Sequence, residues 1–210
     1  MRCVVFAALI CLLAMSVSNA QVMSSTVSFG YSNIQIGHNQ GLSYEHNGGY
    51  VDGDLLWRMP TRDFPVLLGL GISGSTYNDS DHLFVTFPDG STGFTHLYSD
   101  LSTFSLEARV AVPIPIGRTG FFVLPKLGAG LLVDDYAIDA LNTVNGTTFI
   151  DTEYHTGAAF ALRPALQAGY SWGWASAGAE VSYMAAWGDF GRLGDTALEF
   201  RAGVFFRLRF

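Results

Sequence analysis

Apolar and polar residues alternate at every second position along most of this chain, and that period puts successive side chains on opposite faces of a β-strand. The pattern recurs about eight times, which predicts about eight strands. Val51, Gly53, Leu55, Trp57 and Met59 alternate with Asp52, Asp54 and Arg58, and Val66, Leu68, Leu70 and Ile72 with Leu67, Gly69, Gly71 and Ser73. Phe104 to Val112 interleaves with Thr103, Ser105, Glu107 and Arg109; Phe121 to Val133 with Lys126, Gly128 and Gly130. Ala158 to Tyr170 alternates against Arg163 and Gln167, Ala175 to Tyr183 against Gly178, Glu180 and Ser182, and Leu198 to Phe210 against Glu199, Arg201, Gly203, Arg207 and Arg209. A first strand, Val27-Phe29-Tyr31, is followed by Ile34 and Ile36 in the opposite phase, which predicts a bulge.

The links between these strands alternate in length. Short ones fall at Pro60 to Phe64, Pro113 to Gly120 and Ser171 to Gly173; long ones span Gly37 to Gly49, Asn78 to Leu97, Asp134 to Tyr154 and Gly188 to Thr196. A barrel crossing a membrane has short turns at one rim and longer loops at the other, whereas a soluble sandwich has no reason for this alternation. An even strand number then leaves both termini at the short-turn, periplasmic rim.

The faces decide which solvent surrounds the sheet. The chain is 49% hydrophobic and 14% charged, yet past the N-terminus it has no apolar run of the roughly 18 residues that a spanning helix needs. If the apolar face pointed inward, the charges of the other face would be massed outside; the opposite arrangement puts the apolar rows in lipid. Aromatics sit near the ends of those rows, with Trp57, Phe121, Trp172, Trp174 and Phe210 at the short-turn rim and Tyr31, Tyr77, Tyr98, Tyr183 and Trp187 at the long-loop rim. Two such girdles about 25 Å apart mark the interfaces of a lipid-embedded barrel.

The N-terminus reads as an export leader. Met1 and Arg2 precede the apolar stretch Cys3 to Met15, and Ser18-Asn19-Ala20 carries small residues where a signal peptidase reads, which places cleavage after Ala20. Residues 1–20 are then a signal peptide and residues 21–210 the barrel domain. Cys3 and Cys11 leave with the leader, so no disulfide, thiolate metal site or Cys nucleophile is expected in the exported chain. The full chain carries a net charge of −7, and loss of Arg2 makes it one unit more acidic. That balance gives no reason to expect nucleic-acid binding.

The chain ends Arg201-Ala202-Gly203-Val204-Phe205-Phe206-Arg207-Leu208-Arg209-Phe210. This resembles the C-terminal assembly signal of bacterial outer-membrane proteins, in which a polar residue, a glycine and two alternating aromatics precede a terminal Phe. Arg201, Gly203, Phe206 and Phe210 match; Leu208 departs in being aliphatic. With its leader and strand pattern the chain is similar to the small OmpA/OmpX-type barrels. The resemblance implies an all-β, eight-stranded antiparallel up-and-down transmembrane β-barrel in the bacterial outer membrane, and a last strand read by the barrel assembly machinery.

Inside so narrow a barrel the charges must pair, because an isolated buried ion is too costly. Asp52, Asp54, Glu107, Glu180 and Glu199 face inward with Arg58, Arg109, Lys126, Arg163, Arg201 and Arg207. Similar depth predicts that Lys126 meets Glu107 and that Glu180 approaches Arg163. An eight-strand interior is only wide enough for side chains, so a closed polar plug is expected. Inward glycines at 69, 128, 130, 157, 169 and 178 leave gaps for water and keep a narrow solute channel as an alternative.

The long-loop segments hold Glu45, Asp79, Asp81, Asp89, Asp100, Asp134, Asp135, Asp139, Asp151, Glu153, Asp189 and Asp195 against Arg192. Such an anionic rim suits solvation, or divalent cations bridging it to lipopolysaccharide. His38, His46, His82, His96 and His155 also lie there and read as ordinary exposed histidines, with a transition-metal or pH-sensing cluster as the alternative; no cofactor is implied. Asn145-Gly146 and Asp89-Gly90 are hairpin turn signals, so the sheet is expected to rise beyond the membrane and offer edges to a surface partner.

Two motifs imitate enzymes. Gly169-Tyr170-Ser171-Trp172-Gly173 fits a nucleophile elbow, but in a turn opposite every histidine. Gly69-Leu70-Gly71-Ile72-Ser73-Gly74 fits a dinucleotide fingerprint, but within a strand. A lipid A-modifying enzyme would use the outer rim, where His96 and Asp100 fall on one face and Ser99 on the other. The sequence therefore reads as a non-enzymatic barrel acting in envelope integrity or surface interaction, with the channel and the lipid A enzyme as its alternatives.

Overall fold

The computed structural model describes residues 23–37, 43–59, 65–86, 92–144 and 147–210; the leader lies outside them. Eight long strands form the wall: β1 (Met23–Gly37), β2 (Ser43–Arg58), β3 (Leu67–Thr86), β4 (Thr92–Ala111), β6 (Phe121–Val144), β7 (Thr147–Ser171), β8 (Ala175–Gly188) and β9 (Thr196–Arg209). β5 (Ile114–Pro115) is a two-residue strand lying against β6. Each long strand pairs antiparallel with its neighbour in sequence, and the pairing of β1 with β9 closes the sheet into an eight-stranded barrel. Closure leaves no free edge within the apolar belt, as a wall in hydrocarbon requires.

The alternation holds through the membrane-crossing part of the wall. Phe29, Leu70, Phe104, Leu106, Leu131, Phe160, Val204 and Phe206 stand outward and exposed, while Asp52, Ser73, Ser105, Glu107, Gln167 and Arg207 turn inward and are buried. Apolar residues exposed in this number around a closed wall make it the lipid-facing surface. Short turns need backbone conformations that only glycine takes without strain, as at Gly173 (φ 81°) between Trp172 and Trp174. Pro164 lacks an N–H, and the β7–β8 ladder skips Arg163 and Pro164 before resuming in register at Ala165.

The expected bulge in β1 is absent. β1 pairs without interruption from Met23 to Gly37, and Ile34 and Ile36 face inward on the same side as Ser28 and Ser32. The phase is constant; what changes is the interior, which becomes apolar toward the long-loop end. There Ile34, Ile36, Leu101, Leu132, Met184, Phe190 and Leu193 pack across the lumen. Phe190 and Leu193 belong to the β8–β9 connection, folded over the opening by a 3-10 turn at Gly191–Leu193 and tied down by Asp195 N–H donating to Gly37 O at 3.2 Å. Full burial of side chains of this size stabilises by about 1.5–3 kcal/mol each. A second apolar layer of Leu56, Phe122, Leu124 and Phe205 lies at the short-turn end, with the polar core between the two.

Much of what the sequence reads as loop is strand. β1, β2, β8 and β9 have 14 to 16 residues, whereas β3, β4, β6 and β7 have 20, 20, 24 and 25. A membrane crossing takes about 9–11 residues, so these four consecutive strands rise well past the apolar belt as a four-stranded sheet. β3 pairs with β4 up to Thr86–Thr92, and β6 with β7 up to Val144–Thr147. The two hairpin signals, Asp89-Gly90 and Asn145-Gly146, fall on residues outside those described, and the strands on either side of each are paired. They lengthen existing strands and add none, so the ten-strand alternative fails.

Candidate functional site

Two places concentrate chemistry: the polar core of the lumen and the sheet that stands above the membrane. The core is built by inward positions of β2, β4, β6, β7, β8 and β9. Asp52, Asp54, Glu107, Glu180 and Glu199 meet Arg109, Lys126, Arg163, Arg201 and Arg207, each side no more than 6% exposed. Five negative charges face five positive ones. Arg58, grouped with them by alternation, is exposed at the short-turn mouth, where β2 leaves the barrel.

Arg109 is the hub. Its guanidinium meets Asp52 through two parallel contacts of 2.6 and 2.5 Å and reaches Glu107 at 3.0 Å, with Asp54 at 3.6 Å. The planar fork suits a carboxylate pair in a way that a lysine ammonium does not. Lys126 instead inserts between Asp54 (3.2 Å) and Glu180 (2.8 Å). The expected Lys126–Glu107 and Glu180–Arg163 pairs are not formed. In the β4–β6 register Lys126 lies opposite Ala111 and Glu107 opposite Gly130, so the two are offset along the wall and each finds its partner across the lumen. Glu107 takes Arg163 at 3.0 Å, an ion contact without hydrogen-bond geometry, while Glu180 also accepts from Gln167 and Ser28. Arg201 donates from Nε to Glu199 at 2.6 Å and lies over the Tyr50 ring at 5.0 Å.

Tyr77 is a correction to the outer girdle. It points inward, is 1% exposed, and donates its hydroxyl to Glu199. Tyr98 stands higher than a girdle, on the protruding part of β4 opposite Asp139. Tyr31, Tyr183 and Trp187 remain exposed on the outer wall.

The glycines do not leave water gaps. A Cβ at Gly71 would fall 2.0 Å from Arg109 Nε, and one at Gly128 would fall 2.4 Å from Glu107 Oε2, so these two give up volume to the ion network. At Gly69, Gly130, Gly157, Gly169 and Gly178 a Cβ would come within 1.8–2.4 Å of a backbone carbonyl oxygen, and glycine there permits close backbone approach. The void left among Asp52, Glu107, Arg109, Lys126 and Glu180 is about 10 Å³, no more than one water could use. A bound group does not fit in it.

Among the described residues the upper part of the protruding sheet has an edge without a strand partner on each side. Among these residues β2 meets β3 only as far as Gly48–Tyr77, beyond which His46 still reaches Asp79 at 3.7 Å, and β8 meets β7 only as far as Gly188–Ala159, beyond which Asp189 N–H donates to Ala158 O at 3.3 Å; higher up, no described strand pairs with these two edges. Asp79, Asp100, Asp135, Asp139, Asp151 and Asp189 are exposed here, and among the described side chains no Lys or Arg accompanies them. On β7, Ile150 (70%) and Tyr154 (77%) stand free of any lipid belt.

Among the described side chains the histidines do not converge, although the β3–β4 register sets His82 opposite His96. His46 is buried with Nδ1 3.7 Å from Asp79, and its burial lowers its pKa. His155 lies 3.8 Å from Asp189 and against Tyr136, and His96 stacks on Tyr98. His38 lies outside the described residues. Among the described residues no three His, Cys, Asp or Glu side chains converge as a metal site would need. Asp134 is fully buried between Thr103 and Gly157, level with the polar outward row Ser102, Asp135 and Thr156, and neither carboxylate oxygen has a hydrogen-bond partner. Burial pushes it up to about 6, against the opposing pull of His155. Ser171 lies at the short-turn end and Gly69–Gly74 within β3, so neither enzyme-like motif has its required setting. Ser99 and Asp100 point to opposite faces.

In the last strand, Phe206 and Phe210 are outward and exposed, Leu208 is half-buried beside them, and Arg201 faces the lumen. Gly203 lets β9 close on β1, since a Cβ there would fall 2.2 Å from Phe29 O.

No protein-family model matches this chain, and no curated sequence matches it. Among solved structures, the outer membrane protease OmpT from Escherichia coli is similar over 92% of this chain and 99% of its own, at 8% identity and a TM-score of 0.52. Ail, the attachment invasion locus protein of Yersinia pestis, matches over 88% of this chain and 98% of its own at 14% identity and a TM-score of 0.48. Neisserial surface protein A matches over 91% of this chain and all of its own at 10% identity and a TM-score of 0.43. The fold is that of the small bacterial outer-membrane barrels.

Proposed function

We propose that this protein is a non-enzymatic barrel of the bacterial outer membrane, exported with a cleaved leader, whose lumen is a structural plug and whose external sheet binds a partner at the cell surface. The observation that carries the reading is the pair of edges on β3 and β7 that lack a strand partner among the described residues. An open edge presents a row of backbone N–H and C=O groups, and an extended segment of another chain can add to it as a further strand. Ile150 and Tyr154 offer side-chain anchors beside the β7 edge, and the surrounding aspartates favour a partner with basic residues. The same aspartates can hold divalent cations against lipopolysaccharide, which would tie the sheet to the envelope. The aromatic positions of β9 are consistent with recognition by the barrel assembly machinery.

The lumen supports this reading by what fills it: three stacked layers, apolar, ionic and apolar. The test replaces residues 139–152, the top of the β6–β7 hairpin, by a two-residue turn, and compares adhesion of bacteria carrying either form to host-cell monolayers and immobilised matrix proteins. Loss of adhesion with normal outer-membrane levels supports the reading. Equal adhesion by the two forms overturns it.

A further inference from the structure

Among the described side chains, those lining the short-turn mouth of the barrel carry charge of one sign. A cavity of about 300 Å³ opens there, with Phe122 and Arg207 at its base and Arg58, Arg209, Pro65 and Pro113 around it. No carboxylate lines it, and among the described residues none pairs with Arg58, Arg207 or Arg209. This reverses the long-loop end, where the exposed described charges are acidic.

Arg207 is 2% exposed and bonded only to neutral groups: Nε donates to Thr26 Oγ1 at 3.0 Å and Nη2 donates to Gln167 Oε1. Its guanidinium carbon lies 5.5 Å from the centre of the Phe122 ring, and that of Arg209 lies 6.0 Å from the same ring. Two like charges therefore share one aromatic ring, with Arg58 at the rim beside them. The carboxylates just inside, Asp54 and Glu180, are held by Lys126. Since the five lumen carboxylates are matched by five lumen cations including Arg207, no described carboxylate side chain is left for Arg58 and Arg209. Like charges held together repel, and an anion placed between them turns that repulsion into attraction. Guanidinium forks match phosphate oxygens two at a time, and cavities from about 300 Å³ upward accommodate small organic ligands.

We propose that this mouth is a binding site for a phosphate-bearing anion, held among Arg58, Arg207 and Arg209 over Phe122. Two sources share that chemistry: a soluble phosphate compound of the periplasm, and the headgroup of an inner-leaflet phospholipid.

The experiment titrates refolded mature protein in non-ionic detergent with inorganic phosphate and with glycerol 3-phosphate at constant ionic strength, following the arginine Nε–H resonances by NMR. Saturable shifts are expected, and the double variant Arg58→Gln/Arg209→Gln should weaken binding about tenfold or more, since two charge-assisted contacts are lost. Arg207 is left in place because it also braces the interior. Arg118→Gln, an exposed arginine in the neighbouring turn that does not line the cavity, should bind as the wild type does. Repeating the titration in nanodiscs separates the sources: weaker binding of soluble phosphate when phosphatidylglycerol replaces phosphatidylcholine identifies the headgroup as occupant, and equal binding identifies the soluble anion. Absence of saturable shifts overturns the proposal, as does binding that survives the double substitution or falls equally with Arg118→Gln.

Discussion

Replacing Arg109 by alanine removes the hub of the ion network while leaving the wall intact. Arg109 supplies every ion contact that Asp52 makes, at 2.6 and 2.5 Å, so Asp52 becomes a buried carboxylate with no partner. Glu107 loses its contact at 3.0 Å but keeps Ser105 at 2.8 Å and Arg163 at 3.0 Å. The five-to-five charge balance becomes an excess of one negative charge in a space that holds at most one water. Removing one partner of a buried pair costs about 3–5 kcal/mol, most of it from the charge left behind. The Asp52→Ala/Arg109→Ala double variant removes that orphan, so it should be more stable than Arg109→Ala alone despite the second truncation. Arg58→Ala, at the exposed mouth, should change stability by about 0.5 kcal/mol or less. Equilibrium unfolding in urea from lipid vesicles, followed by tryptophan fluorescence, gives all three numbers. A loss below about 1 kcal/mol for Arg109→Ala, or a double variant that is less stable than the single, would refute the reasoning.

Gly71→Ala should destabilise by about 1–3 kcal/mol in the same assay, because the new methyl falls on the Arg109 side chain; a neutral effect would show that the network has room to move. Asp134, raised from 3.8 to about 6, binds its proton more tightly folded than unfolded, so its contribution is present at low pH and lost as pH rises through about 6. Asp134→Asn should therefore flatten the stability profile between pH 4 and 7 and raise stability at pH 7 by on the order of 2 kcal/mol, and parallel profiles for the two proteins would contradict the burial argument. Phe210→Ala should lower the amount of heat-modifiable, folded protein in outer-membrane fractions while in vitro refolding persists; unchanged levels would remove the terminal aromatic from the assembly signal.

The wall was legible because period-two alternation is imposed by geometry alone: Leu70, Phe104 and Val204 face out, and Ser73, Glu107 and Arg207 face in, as the pattern requires. Interior chemistry was legible only where it was polar. Ile34 and Ile36 read as a change of phase because the pattern carries no sign that the lumen becomes apolar near its outer end. Tyr77 is an aromatic at girdle height, but it shares the inward parity of Ser73 and Ser75, and parity sets the face where residue type does not. Above the membrane both faces of β3, β4, β6 and β7 meet water, so alternation fades although hydrogen-bonded pairing continues, and long strands read as loops. The ten members of the ionic core were legible from inward parity. Their partners were not, because a staggered barrel brings β2, β6 and β8 together at Asp54, Lys126 and Glu180 with no trace in sequence separation.

The central claim is that the lumen is shut by three packed layers, and planar-bilayer recording of the refolded mature protein tests it most directly. The account predicts no discrete current steps from the wild-type protein, with openings, if any, confined to Arg109→Ala and Lys126→Ala, in which the middle layer is loosened. Reproducible single-channel steps in the wild type, altered in size by those same substitutions, would contradict it and make the ionic core the lining of a pore.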